Sequence, residues 1–176
     1  MFFSSVIPAC LPTDPRQSYT GQTAWVSGWG IIKTGHQPDI LQKGEVTTMT
    51  KKQCTSRPKK FKSYMITEKM LCAQGDRIDS CKGDSGGPLA VQGQDGAYTQ
   101  IGIVSWSFGC AKDYYPGVYT KLTALLPWLK ETIGIEGKHF RFVENKNSPQ
   151  TRGGEGSKTL KNNFFRSFII ITSMPH

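Results

Sequence analysis

The sequence predicts an all-β fold, a barrel that ends in one α-helix and gives way to a polar tail. Three observations lead there. Between Gly21 and about Gly134, short apolar and β-branched segments alternate with turn residues, the pattern of several short strands arranged as a barrel. Just before Gly134 the apolar spacing changes from that of a strand to that of a helix. From Glu136 onward the apolar pattern fades into Lys, Arg, Asn, Ser and Gly. The 176 residues, 37% hydrophobic and 11% aromatic, suffice for one packed core, which excludes disorder throughout.

In chain order, Thr23 to Ser27, Glu45 to Met49, Leu89 to Gln92, Tyr98 to Trp106 and Gly117 to Leu122 read as strands, with Gln94-Asp95-Gly96 as a hairpin turn. Leu125, Trp128, Leu129, Thr132 and Ile133 fall at helical spacing and predict a helix around Leu126 to Ile133, with Pro127 in its first turn and Gly134 as its stop. The chain thus divides into a lead-in over residues 1–20, a barrel with its helix over 21–134, and a basic tail over 135–176. The tail sets seven Lys or Arg against Glu136, Glu144 and Glu155 and reads as mostly disordered. Within it, Phe164 to Ile171 is too short to span a bilayer, and could lie on an interface or pack on the barrel.

No stretch approaches the roughly 18 apolar residues of a membrane helix, so no transmembrane segment is expected. Met1-Phe2-Phe3-Ser4-Ser5 does not read as a signal peptide. The formal net charge of +9 fits either a nucleic-acid or polyanion binder or a solvated surface, and its dispersal favours the second. Arg57-Pro58-Lys59-Lys60-Phe61-Lys62 has the same two readings, a heparin-like polyanion site or a solvated loop, and no nucleic-acid partner is expected from it. The cysteines lack C-x-x-C spacing and the histidines are scattered, so neither metal nor cofactor is expected.

Chemistry concentrates in Asp79-Ser80-Cys81-Lys82-Gly83-Asp84-Ser85-Gly86-Gly87-Pro88-Leu89. A serine among glycines can be presented on a tight turn whose N–H groups are available to an oxyanion. By itself the stretch could equally be a strand connector whose glycines supply positive φ. The motif resembles the nucleophile loop of the chymotrypsin/trypsin family of serine proteases. The likeness runs on through Val6-Ile7-Pro8-Ala9-Cys10-Leu11-Pro12, Trp25-Val26-Ser27-Gly28-Trp29-Gly30, Met70-Leu71-Cys72-Ala73, Ile103-Val104-Ser105-Trp106 and Pro116-Gly117-Val118-Tyr119-Thr120, in the family's order, from about Val6 to Ile133. The fold it implies is the C-terminal six-stranded barrel of a double-barrel protein, with residues 1–20 as the segment between barrels.

The resemblance implies Ser85 as nucleophile and the N–H groups of Gly83 and Ser85 as the oxyanion hole. It implies Asp79 as the acidic floor of a pocket for Lys or Arg, although an Asp met alone is by default a solvated turn residue. Gly117 matches the small pocket wall, and Ser105, Trp106 and Ser107 the edge along which the substrate backbone runs. Ser107 departs from the family's usual glycine, and its side chain is expected to crowd that backbone. Asp84 matches the carboxylate that, in activated relatives, pairs with a new α-amino group and orders the oxyanion loop.

Among relatives, the catalytic His and Asp come from segments N-terminal to the matched region, and no equivalent occurs in the 176 residues. His36, His139 and His176 read as exposed titrating side chains. Serine needs an adjacent base, so this chain alone is expected to be inert. The resemblance pairs Cys54 with Cys72 and Cys81 with Cys110, which leaves Cys10 over, to join an upstream light chain or propeptide. A further bridge of many relatives is replaced at both ends, by Ala24 and Val91. Two disulfides point to an oxidising, secreted or extracellular location, at odds with the missing signal peptide unless the sequence is a fragment or isoform. The expected function is endopeptidase cleavage of peptide or protein substrates after Lys or Arg; the alternative is a non-catalytic homologue that uses the barrel as a binding scaffold.

Overall fold

A computed structural model describes residues 9–56, 66–112 and 114–132. The basic run Arg57 to Lys62, Ile133 and the whole tail, including Phe164 to Ile171, lie outside the described residues. Six strands, β1 (Thr23–Gly28), β2 (Gln42–Met49), β3 (Met70–Gln74), β4 (Pro88–Gln92), β5 (Tyr98–Trp106) and β6 (Gly117–Lys121), close into an antiparallel barrel in the order β1-β2-β3-β6-β5-β4. Two short elements complete it: helix α1 (Lys51–Thr55) after β2 and helix α2 (Leu122–Thr132) directly after β6.

The core follows from side-chain alternation. Ala24 and Val26 of β1, Val46 of β2, Leu89 and Val91 of β4, Ile101 and Val104 of β5 and Tyr119 of β6 meet inside the barrel. Ala24 and Val91, where the resemblance implies a replaced bridge, are both part of this apolar interior. The β4–β5 hairpin turns where the sequence places it: Gly93 N donates to Ala97 O (2.8 Å) and Gly96 adopts φ +77. Irregularities at Leu89/Ala90 and Val104/Trp106 interrupt the strand registers, the second beside the exposed Ser105.

Four features depart from the expected elements. β2 begins at Gln42 rather than Glu45, because Ser27 and Gly28 of β1 pair with Lys43 and Gln42. β3 and α1 are additional. β3 buries three successive residues, so it shows no alternation: Leu71 and Ala73 face the barrel while Cys72 faces a second cluster with Cys54, Ile66 and Val118. α1 is five residues long and is fixed by a capping box in which Gln53 N donates to Thr50 Oγ1 (3.0 Å) and Thr50 N donates to Gln53 Oε1 (2.9 Å).

The fourth departure is a correction to the last helix. It starts at Leu122, not near Leu126, so Pro127 sits in the helix interior rather than its first turn. Its buried face is Leu122, Thr123, Leu126 and Leu129, packed against Leu11 and Ile103, whereas Trp128 of the expected stripe is 42% exposed. The reason is the absence of a connecting loop: β6 ends at Lys121 and the helix inherits its phase from the strand.

Candidate active site

The turn that carries Ser85 is built from backbone hydrogen bonds. Asp84 N donates to Cys81 O (3.0 Å) and Gly87 N to Asp84 O (2.8 Å), so the chain reverses twice around Asp84. Gly83 and Gly86 lie at φ +102 and +83, conformations that side chains rarely adopt. Past the turn, Gly86 N donates to Val104 O (3.0 Å) and Val104 N to Gly87 O (2.9 Å), which ties the loop to the end of β5 beside Ser105. Ser85 is left exposed on the loop between these two attachments.

The Asp84 carboxylate holds the turn against β1. Its Oδ1 accepts from Gly30 N (2.7 Å) and its Oδ2 from Cys81 N (2.8 Å). Gly28 and Gly30 fit around it because they lack side chains: a Cβ at Gly28 would lie 2.0 Å from Asp84 Oδ1, and one at Gly30 would lie 2.4 Å from the same carboxyl group. Lys82 O accepts from Ile31 N (2.9 Å), a further tie between the two loops. Gln37 reaches the same place, its Nε2 2.9 Å from where a Cβ on Gly83 would be.

Asp79 lies six residues before Ser85 and is half-buried. Its Oδ1 accepts from Ser80 N (2.8 Å), and its Oδ2 is buried without a hydrogen-bond partner among the described residues. Burial pushes its carboxyl up to about 6, and the negative charge of Asp84 adds to the rise, while the N–H groups of Ser80 and Ala111 work against it. Gly117 lies beside this carboxyl group. A Cβ there would meet Asp79 Oδ1 at 2.6 Å and Tyr119 Oη at 3.1 Å. The Tyr119 hydroxyl is itself buried and unpartnered among the described residues, and its titration is pushed up by burial and by Asp79. Asp79 and Asp84 both line one cleft of about 350 Å³, together with Lys33, Lys43 and Arg77.

The structure therefore brings Asp79, Asp84 and Gly117 around one region, and ties the Gly83–Ser85 loop to the Ser105 end of β5. Disulfides join Cys54 to Cys72 and Cys81 to Cys110; the second fastens the segment before Ser85 to the loop after Trp106. Cys10 is in neither, and its backbone pairs alongside β5 through Cys10 N to Tyr98 O and Gln100 N to Cys10 O, both 2.8 Å. Trp106 packs edge-on against Phe108 with ring centroids 5.7 Å apart. The Ser107 hydroxyl donates to Gly109 O and so is bonded within its own loop.

His36 is the one histidine among the described residues; it lies in the exposed β1–β2 loop and makes no hydrogen bond to Ser85. Ser80, Tyr119 and Gln37 were not singled out by sequence reasoning. Ser80 stands next to a named carboxylate, but Tyr119 and Gln37 reach the site from distant segments and carry no local signal. Among the described residues there is no group of three or more His, Cys, Asp or Glu placed to hold a metal ion, and no helix long and apolar enough to cross a membrane.

Comparison with known proteins places this geometry in a lineage. The family model described as Trypsin matches residues 1–129. Transmembrane protease serine 9 of Rattus norvegicus is 40% identical over 141 residues, covering 77% of this chain and 13% of that protein. The suppressor of tumorigenicity 14 protein homolog of Bos taurus is 38% identical over 76% of this chain and 16% of its own length. Transmembrane protease serine 11C of Mus musculus is 39% identical over 77% of this chain and 32% of its own length. The chain thus spans less than a third of each of these relatives. A match over most of the chain, on a closed six-stranded antiparallel barrel with a C-terminal helix, establishes that the chain belongs to the trypsin family of serine proteases.

Proposed function

We propose that this chain is the nucleophile-bearing barrel of an extracellular serine endopeptidase that cleaves after Lys or Arg. Ser85 attacks the scissile carbonyl, and the N–H groups of Gly83 and Ser85 receive the oxyanion. Asp79 pairs with the cationic side chain that precedes the scissile bond, Gly117 keeps that pocket open, and Ser105, Trp106 and Ser107 line the path of the substrate backbone. The base and its orienting acid come from segments outside these 176 residues, so the chain alone binds but does not turn over substrate. Asp84 serves the activation step, its carboxylate being the partner of a liberated α-amino group, and Cys10 offers a link to an upstream light chain or propeptide.

The observation that carries this reading is the pairing of two carboxylates with different duties on one short segment. Asp84 uses both oxygens on backbone N–H groups that fix the Ser85 turn, whereas Asp79 keeps one buried oxygen without a partner among the described residues, as suits a receptor for a cation. A non-catalytic scaffold does not require that division. Of the two features in favour of a scaffold, the missing upstream half and the hydroxyl at Ser107, the second is bonded to Gly109 O within its own loop.

Binding of p-aminobenzamidine, a fluorescent arginine mimic, tests the pocket. The 176-residue chain is expected to bind it and Asp79→Ser to lose it; equal binding by both would refute the pocket assignment. Catalysis is tested by joining the chain to the upstream protease region of transmembrane protease serine 11C. Cleavage after Arg that disappears with Ser85→Ala is expected, and a folded, benzamidine-binding chimaera that stays inert would support the scaffold instead.

A further inference from the structure

Between the end of β3 at Gln74 and the bridge at Cys81, the chain makes a tight turn at the surface. Gly75 N donates to Ile78 O (3.2 Å), so Asp76 and Arg77 form its tip. Both are exposed, and among the described residues neither makes a hydrogen bond or an ion pair. Arg77 has φ +55, a left-handed conformation that is unfavourable for a residue with a side chain. Ile78 follows it with 39% of its surface exposed. A loop tip with one closing bond and a strained residue opens locally more easily than the elements around it. The exposed loop around Lys33 is closed by two bonds, Ile32 N to His36 O (3.0 Å) and Gly35 N to Ile32 O (2.9 Å). Lys43, Lys52, Lys121 and Lys130 lie within strands or helices.

A bond after arginine, in a segment that opens readily, is a substrate for an arginine-directed serine protease. We propose, resting on the reading of this chain as part of such a protease, that Arg77–Ile78 is a processing site cut by a protease of that specificity, a second, completed copy included, and that the cut switches the cation pocket off. The step is a hydrolysis: the C–N bond between Arg77 and Ile78 breaks, one water is taken up, and a carboxylate on Arg77 and an α-amino group on Ile78 result. Neither disulfide crosses the cut, because Cys54–Cys72 lies wholly before it and Cys81–Cys110 wholly after it. The barrel closes across it instead. β3 pairs with β6 from Met70↔Thr120 to Ala73↔Gly117, and β1 pairs with β4 at Trp25↔Ala90 and Val26↔Leu89, so the two pieces stay together while folded. Asp79 changes most. In the intact chain it is held from both sides, by the Gly75–Ile78 turn and by the bridge at Cys81; after the cut it lies one residue from a free, positively charged chain end. Ile78 and Asp79 line the same cleft, so the new ammonium group competes for the carboxylate that would receive a substrate's cation.

The full chain is digested briefly with a trace of trypsin, new N-termini are mapped by mass spectrometry, and the affinity of the product for p-aminobenzamidine is measured. Among the Lys and Arg of the described residues, Arg77 is expected to be cut first, about tenfold faster than Lys33, and Arg77→Gln to lose that cut alone. The nicked chain should remain one species in native size exclusion, yet separate on a non-reducing denaturing gel into pieces that end at Arg77 and begin at Ile78. It should bind p-aminobenzamidine at least about tenfold more weakly than the intact chain, while Arg77→Gln digested in parallel keeps its affinity. A folded chain in which Lys33 is cut first, or in which no terminus appears at Ile78, would overturn the proposal, as would a nicked chain that binds as tightly as the intact one. An intact chain that does not bind p-aminobenzamidine would defeat the cation pocket and the switch with it, and the mapped terminus would then decide the processing site alone.

Discussion

Gly28→Ala isolates the contact on which the Ser85 turn depends. No positive φ is required of Gly28, so alanine brings no backbone strain, and the whole effect comes from one methyl group. That methyl would stand 2.0 Å from Asp84 Oδ1 and 2.9 Å from its Cγ, distances that real Cβ atoms do not tolerate. Asp84 has to move, and in moving gives up the bonds from Gly30 N (2.7 Å) and Cys81 N (2.8 Å). Hydrogen bonds to a charged group contribute roughly 1.5–3 kcal/mol each, so a loss of about 3 kcal/mol or more is expected. Gly21→Ala is the control: it has φ +74 but nothing within 4 Å, and about 1 kcal/mol of conformational strain is expected there. Urea unfolding of both variants, with Asp84→Ala and the double variant Gly28→Ala/Asp84→Ala, completes a cycle. Once the carboxylate is gone the extra methyl has room, so the double variant should be no less stable than Asp84→Ala. The reasoning is refuted if Gly28→Ala costs no more than Gly21→Ala, or if the two losses simply add.

Gly117→Ala should remove p-aminobenzamidine binding, because its methyl would lie 2.6 Å from Asp79 Oδ1 and fill the approach to the carboxylate; retained binding by a folded variant would contradict the wall geometry. Stability should also report Asp79. Its folded-state value is raised from 3.8 to about 6, so the native state holds more protons than the unfolded one between those values. The contribution is therefore fully present well below pH 4 and lost as the pH rises through 6, about 3 kcal/mol at most, and the unfolding free energy of wild type relative to Asp79→Asn should fall by about 2.4 kcal/mol from pH 4 to pH 7. A difference that does not change with pH would count against the burial argument. Non-reducing peptide maps should recover Cys54 with Cys72 and Cys81 with Cys110, and Cys10 bridged to any of those four would break the assignment.

Strands with one face in the barrel were legible because their side chains alternate, as in β1, where Ala24 and Val26 point inward. β3 was not, because Cys72 is buried under α1 on the face opposite Leu71 and Ala73, and a strand buried on both sides loses its period. α1 hides for another reason: five residues are too few for a periodic stripe, and its one signal is the Thr50–Gln53 capping box. Ser85, Asp79 and their glycines were named from a contiguous motif, but what each does to its neighbours is a matter of space. The segment Gly28-Trp29-Gly30 stood out by resemblance, and its reason is the Asp84 carboxylate, 54 residues away from Gly30 in sequence. Tyr119 was read as a strand residue, and nothing local distinguishes a core tyrosine from one whose hydroxyl faces Asp79.

The 176-residue chain is predicted to bind an arginine mimic and yet not to hydrolyse an arginyl peptide, and the two halves of that statement have separate physical grounds. Binding needs a cation receptor, and the proposed one is the buried Asp79 Oδ2, which has no hydrogen-bond partner among the described residues. Turnover needs a base within hydrogen-bond reach of the Ser85 hydroxyl. Among the described residues His36 is the sole histidine, and its loop is positioned by Ile32 N donating to His36 O (3.0 Å), not by any bond to Ser85. Removal of the base in enzymes of this kind lowers turnover by roughly a million-fold, and because the triad acts as a unit, losing its acid as well adds little. What remains would come from the oxyanion donors, and these depend on Gly83 at φ +102, in a turn held by an Asp84 carboxylate that accepts from the backbone N–H groups of Gly30 and Cys81. The assay pairs a fluorogenic arginyl peptide with the purified chain and with Ser85→Ala, after contaminating proteases are excluded. Equal background from the two, alongside benzamidine binding by both, is the expected result. Turnover by the chain well above its Ser85→Ala counterpart would defeat the prediction, and His36→Ala would then show whether the β1–β2 loop supplies a substitute base.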